Sequence, residues 1–128
     1  MCVNVTNYTT STTAYFCMEY GLHETLPLYA GGLGILAGDL LKEAHDQNAP
    51  IVGIGIFWHE GYNTQNIDEK LNPYPTYPAV PRDHLELIDA TVDVKIAGER
   101  VPLQAYRVIG LPIAPLYLLE PQNPAQRH

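Results

Sequence analysis

The stretch from Tyr29 to Trp58 leaves this chain few folding options. It opens on a glycine cluster, Gly31, Gly32 and Gly34, and runs straight into a segment where Leu33, Leu36, Ala37, Leu40, Leu41 and Ala44 recur at helical spacing. That recurrence predicts one apolar stripe on an amphipathic helix, with Asp39, Lys42, Glu43 and Asp46 on the other face. Asn48 and Pro50 supply the stop signal. Pro50 to Trp58, PIVGIGIFW, then reads as a strand covered on both faces, and a parallel sheet is the natural home for such a run.

The glycines admit two physical explanations. Without a Cβ, the backbone at Gly31, Gly32 and Gly34 can take positive φ and bring its N–H groups close to a ligand. At a helix N-terminus those unpaired N–H groups, with the positive end of the dipole, attract phosphate. Close packing of helix on sheet is the alternative for several of them. Gly34 and Gly38 lie one turn apart, and Gly53 and Gly55 share a strand face.

Composition narrows the function classes. With 128 residues, 46% of them hydrophobic, the chain is expected to form one domain with a modest core. A net charge of −7, with the seven Lys and Arg scattered, removes the electrostatic basis for nucleic-acid binding. No apolar stretch approaches the length of a spanning helix, so no membrane role is expected. The first residues lack the basic and apolar regions of a secretory signal. A cytoplasmic location is therefore expected, with Cys2 and Cys17 as free thiols. Asn4-Val5-Thr6 and Asn7-Tyr8-Thr9 match the glycosylation acceptor pattern, which has no consequence without secretion.

Read in order, residues 1–12 form a polar, flexible N-terminus, and residues 13–68 a strand, loop, helix and strand core. Thr13 to Tyr20 is the first strand, ended by Gly21, with Glu19 near the end at which open α/β sheets place ligands. Gly21 to Ala30 is a loop carrying His23, Glu24 and Tyr29, three polar side chains available to a ligand. Trp58 to Tyr62 leads into Asn63 to Asp68, read either as a site lip or as an exposed turn followed by a short edge strand. Residues 72–81, NPYPTYPAVP, exclude helix and any central strand and form an extended, Pro-rich connection. Within residues 91–120, Thr91 to Ala97, the turn at Gly98-Glu99 and Arg100 to Ile109 predict a β-hairpin, and Leu111 to Glu120 a further buried strand. The last residues, QNPAQRH, read as the start of a loop. His45 and His84 are expected to be solvated, and no metal-ligand spacing is present.

Gly32-Leu33-Gly34-Ile35-Leu36-Ala37 also fits the dinucleotide pattern G-x-G-x-x-A. That pattern requires the glycines to follow the first strand at once, whereas about ten residues intervene here, and no well-placed acidic residue follows the second strand. The flanks match something else. Ala14 to Asp39, AYFCMEYGLHETLPLYAGGLGILAGD, closely resembles the N-terminal region of α-glucan (glycogen/maltodextrin) phosphorylases, most strongly the shorter prokaryotic type. The resemblance continues through Pro50 to Gln65, PIVGIGIFWHEGYNTQ, and returns at Pro115 to Glu120, PLYLLE.

This resemblance implies an α/β fold: part of the N-terminal Rossmann-like lobe of a two-lobed (GT-B) glycosyltransferase, with a β-hairpin extension. Members of the family transfer a glucosyl unit from an α-1,4-glucan to inorganic phosphate, giving glucose 1-phosphate and a shortened glucan. By motif, Gly31, Gly32, Leu33 and Gly34 take the substrate- and phosphate-binding role, with Glu19, His23, Glu24 and Tyr29 as cleft-lining candidates and no catalytic residue in this fragment. The family's pyridoxal phosphate is held by a lysine in the C-terminal lobe. Neither Lys42, Lys70 nor Lys95 resembles that segment. Longer animal-type members carry a basic residue where this chain has Ile35. The resemblance therefore implies an incomplete lobe, inactive alone, whose exposed edges invite self-association or pairing with a missing C-terminal lobe. The alternatives are a non-catalytic glucan- or phosphate-binding remnant, and a lobe like that of glycogen synthases. The latter carry a lysine just before the glycines, where this chain has Tyr29-Ala30, which argues against a sugar-nucleotide donor.

Overall fold

The computed structural model describes residues 11–122. Most of the N-terminal segment, Cys2, both acceptor patterns and the polar C-terminus from residue 123 lie outside them. The elements in order are β1 (Thr13–Phe16), β2 (Tyr20–His23), β3 (Leu26–Leu28), α1 (Gly32–Asp46), β4 (Ile51–Ile56), β5 (Thr64–Ile67), β6 (Pro73–Thr76), β7 (Leu85–Ile96), β8 (Glu99–Val108) and β9 (Leu116–Pro121).

A mixed five-stranded sheet in the order β1-β4-β9-β8-β7 organises the chain. The strands β1, β4 and β9 run parallel, with Tyr15 opposite Gly53 and Gly53 opposite Leu116. β8 and β7 extend the sheet antiparallel. The predicted buried strand after the helix is thus the central parallel strand, flanked on both sides. The predicted hairpin is β7–β8, closed by Ala97 and Gly98 at φ 51° and 87°, the mirror-image turn that matches strand twist. β9 inserts between β4 and β8, so one sheet joins β1 and β4 to the β7–β8 hairpin.

The helix α1 lies on one face of this sheet. Its end is set by backbone chemistry: Asn48 adopts φ 50°, its N–H donates to the His45 carbonyl at 3.1 Å, and Ala49 N–H donates to the Ala44 carbonyl at 2.8 Å. This is the paired closure of a helix on a left-handed residue, and asparagine tolerates that conformation. The buried stripe differs from the predicted one. Gly34, Ala37, Gly38, Leu41 and Ala44 are buried, whereas Leu33 and Leu36 are exposed. Glycines occupy the contact face because α1 crosses β2 too closely for side chains. A Cβ at Gly38 would stand 2.0 Å from the Gly21 carbonyl oxygen. Beneath the helix, Gly53 and Gly55 of β4 leave room for Leu41 and for the Tyr20 ring.

Other expectations change as well. The first strand stops at Phe16 rather than Tyr20, because Tyr20 turns into the core, where its hydroxyl donates to the Tyr15 or Ile54 carbonyl. The predicted loop at residues 21–30 contains an antiparallel pair, β2–β3. Residues 111–115 bend before β9, so the strand predicted from Leu111 begins at Leu116. The Pro-rich connection contributes β6, paired only with β5. An edge position tolerates Pro73 and Pro75, which lack a donor. Away from α1, the sheet presents Phe16, Ile56 and Leu119 around a shallow apolar depression, and Phe16 is 73% exposed. No helix covers this second face among the described residues.

Candidate functional site

Parallel strands place ligands beyond their C-terminal ends, and there three segments of this chain converge. Glu19 follows β1, Tyr29 to Gly34 lead into α1, and Trp58 to Tyr62 follow β4. Between them lies an open cleft of about 260 Å³ lined by Glu19, Tyr29, Ala30, Trp58, Glu60 and Tyr62 together with Pro27, Leu28 and Gly61.

Local contacts fix these walls. Glu19 Oε2 accepts the Ala30 N–H at 3.4 Å, tying the end of β1 to the glycine turn. The Trp58 indole N–H donates to the Met18 carbonyl at 2.9 Å. Gly61 rests against Pro27, where a Cβ would lie 3.2 Å from the ring. Two carboxylates and three exposed or half-exposed aromatic rings therefore face one concavity. Such a surface offers acceptors to hydroxyl groups and flat apolar faces to a sugar ring.

The glycine cluster divides by role. Gly34 is structural, since a Cβ there would come 2.3 Å from Tyr29 Cβ. At Gly31 and Gly32 an added Cβ would meet nothing within 4 Å. Gly31 caps α1 in an extended conformation, φ −155°, with no side chain closing the helix end. Positive φ is thus not why glycine occurs here; among the described residues positive-φ glycines occur only at Gly98 and Gly110. Gly31's carbonyl accepts the N–H groups of Gly34 and Ile35, and those of Gly32 and Leu33 have no partner within the helix. The helix N-terminus is open, positive in potential and adjacent to the cleft through Tyr29 and Ala30.

Other predicted residues lie elsewhere. His23 and Glu24 sit at the β2–β3 turn and do not line the cleft. His23 Nδ1 is 2.8 Å from Thr25 Oγ1, which lies 3.0 Å from His84 Nε2. Among the described residues, no group of three His, Cys, Asp or Glu is arranged to hold a metal ion. No helix there is long and apolar enough to cross a membrane.

No protein-family model matches the chain. Individual proteins do. A maltodextrin phosphorylase of Thermococcus litoralis is 36% identical over 120 residues, covering 85% of this chain and 14% of that protein. A glycogen phosphorylase of Mycobacterium tuberculosis is 38% identical over 123 residues, covering 90% of this chain and 14% of that protein. Along most of its own length the chain is thus similar to proteins named maltodextrin and glycogen phosphorylase. An Aquifex aeolicus glycogen phosphorylase is 57% identical over 49 residues, which are 38% of this chain and 7% of that protein. The chain spans about a seventh of the length of the first two proteins.

The cleft also includes residues that sequence reasoning did not assign to a site. Trp58, Glu60 and Tyr62 were legible as a candidate lip from their crowding past a buried strand, but not as partners of Glu19 and Tyr29. Behind them, Glu120 is the one buried charged residue among those described. Its only signal in the sequence is a carboxylate closing an apolar strand, PLYLLE.

Proposed function

We propose that this chain forms the glucan- and phosphate-binding portion of an α-glucan phosphorylase, within the N-terminal lobe of a GT-B fold. The observation that carries the reading is the open N-terminus of α1 lying beside a cleft of aromatic rings and carboxylates. The N–H groups of Gly32 and Leu33 donate to a phosphate oxygen, and the absence of Cβ atoms at Gly31 and Gly32 lets that oxygen approach the backbone. Donors fixed before the reaction stabilise charge as it develops in the transition state, without reorganisation. Glu19 and Glu60 accept hydrogen bonds from glucosyl hydroxyls, and Tyr29, Trp58 and Tyr62 stack on the apolar faces of the sugar.

The reaction as a whole breaks the terminal glucosidic bond, forms a bond from the anomeric carbon to phosphate and returns a proton to the glucan oxygen. The described residues do not fit pyridoxal phosphate. Lys42 pairs with Asp39 on the solvent side of α1, and Lys70 and Lys95 are exposed, away from the cleft. No step is therefore routed through the cofactor here. The chain alone, given pyridoxal phosphate, maltoheptaose and phosphate, is expected to release no glucose 1-phosphate.

Binding is the positive test. Calorimetric titration of maltoheptaose is expected to show one saturable site, weakened at least about tenfold by Tyr62→Ala or Glu19→Gln, the loss expected for one stacked ring or charge-assisted hydrogen bond. Native affinity in both variants, or no binding to the unmodified chain, would overturn the reading. The uncovered sheet face carries a second expectation. Parallel sheets are ordinarily covered on both faces, so this face is proposed to drive self-association.

A further inference from the structure

After β4 the side chains from Phe57 to Tyr62 alternate between two environments. Trp58, Glu60 and Tyr62 face the cleft. Phe57 and His59 face backwards, onto a polar cluster built around Glu120, which is 2% exposed, with the half-exposed His59 and Arg82 at its rim. Both of its carboxylate oxygens are engaged. Oε1 receives Arg82 Nη2 at 2.8 Å and the Nε2 of His59, and Oε2 receives Gln104 Nε2 at 2.6 Å. The Arg82 guanidinium lies 4.5 Å over the Phe57 ring and 5.0 Å from the Tyr106 ring. Backbone hydrogen bonds add to the hold on this wall: the Val80 N–H donates to the His59 carbonyl at 2.9 Å and the Gly61 N–H to the Pro78 carbonyl at 3.1 Å.

We propose that Glu120 is a positioning residue for the glucan cleft: through His59 and Arg82 it fixes the wall that presents Trp58, Glu60 and Tyr62. This inference rests on the glucan reading above. Glu120 itself does not line the cleft. Its carboxylate holds His59 directly and Phe57 through the Arg82 guanidinium, which leaves Trp58 and Glu60 facing outward, and charge-assisted hydrogen bonds to a buried carboxylate specify one geometry. The glycine loop belongs to α1 and takes no support from this cluster. Loss of the Glu120 charge should therefore loosen the sugar-binding wall and leave the phosphate end intact.

The test compares two ligands and two variants. Glu120→Gln keeps the size of the side chain and removes its charge; His59→Leu removes the donor at a half-exposed position, where folding is least at risk. Maltoheptaose affinity by calorimetry is expected to fall about tenfold in each, while inorganic phosphate affinity by phosphorus NMR stays within about twofold of native. Trp58, the one tryptophan, reports the wall directly. Its acrylamide quenching should rise in both variants. Native maltoheptaose affinity or unchanged quenching in either folded variant would overturn the proposal, as would a parallel loss of phosphate and sugar binding. If the unmodified chain binds no maltoheptaose, the glucan reading itself fails, whereas binding that neither variant weakens removes only the role of Glu120.

Discussion

Replacing Gly38 with alanine separates the packing role of glycine in α1 from the ligand role proposed for Gly31 and Gly32. A Cβ at residue 38 would stand 2.0 Å from the Gly21 carbonyl oxygen and 2.8 Å from its carbon. Ordinary contact begins at 3.4 Å, so α1 and β2 must part by about 1.4 Å. The obstacle is backbone, and no rotamer change relieves it. Overpacking of this kind costs about 1–3 kcal/mol, here at the upper end. Alanine in a helix interior returns up to about 1 kcal/mol of propensity. The net expectation is a loss of about 2 kcal/mol, a fall in Tm on the order of 10 °C for a domain of this size. Urea and thermal denaturation followed by far-UV circular dichroism measure it. A variant as stable as the native chain, or stabilised as propensity alone requires, would refute the argument from close approach.

Gly32→Ala is expected to behave oppositely. Its Cβ meets nothing within 4 Å, so stability should hold within about 0.5 kcal/mol while phosphate affinity falls; a large loss of stability would place Gly32 among the packing glycines. Stability should also depend on Glu120 in acid. Burial pushes its carboxyl up, but hydrogen bonds from Arg82, Gln104 and Tyr106 together outweigh burial and hold it below its ordinary value of 4.5. The folded chain therefore binds this proton more weakly than the unfolded chain, so the contribution is complete above pH 4.5 and lost as pH falls further. Urea midpoints between about pH 3 and 6 should fall less steeply for Glu120→Gln, and parallel profiles would contradict the assignment. Sedimentation velocity should show concentration-dependent association, reduced by Phe16→Asp on the uncovered face. A compact monomer at all concentrations would remove the proposed role of that face.

The parts of the fold that depend on local periodicity were legible. Helix α1, strand β4 and the β7–β8 hairpin follow from spacing and turn chemistry. Leu33 and Leu36 were misplaced because hydrophobic periodicity gives glycine no weight, yet Gly34 and Gly38 are among the residues that α1 buries. The β2–β3 pair was hidden in a segment whose strands are four and three residues long, too short for alternation to register. The insertion of β9 between β4 and β8 is a tertiary fact that no local pattern encodes. Of the residues lining the cleft, Glu19 was legible from its place at the C-terminal end of the first strand and Tyr29 from its proximity to the glycines. His23 was drawn in by the same proximity, but the hairpin carries it toward Thr25 and His84. The Glu120 cluster gathers residues 59, 82, 104 and 120 from four separate segments, and only the folded sheet brings them together.

The most direct test of the central claim is a nitrogen–proton NMR titration of the chain with inorganic phosphate, followed by maltoheptaose. Phosphate is expected to shift the amide signals of Gly31 to Gly34 first, and maltoheptaose then to shift the Trp58 indole and the amides of Glu60 to Tyr62. Phosphate shifts that leave Gly32 and Leu33 unmoved, or sugar shifts that cluster away from Trp58, would contradict the account.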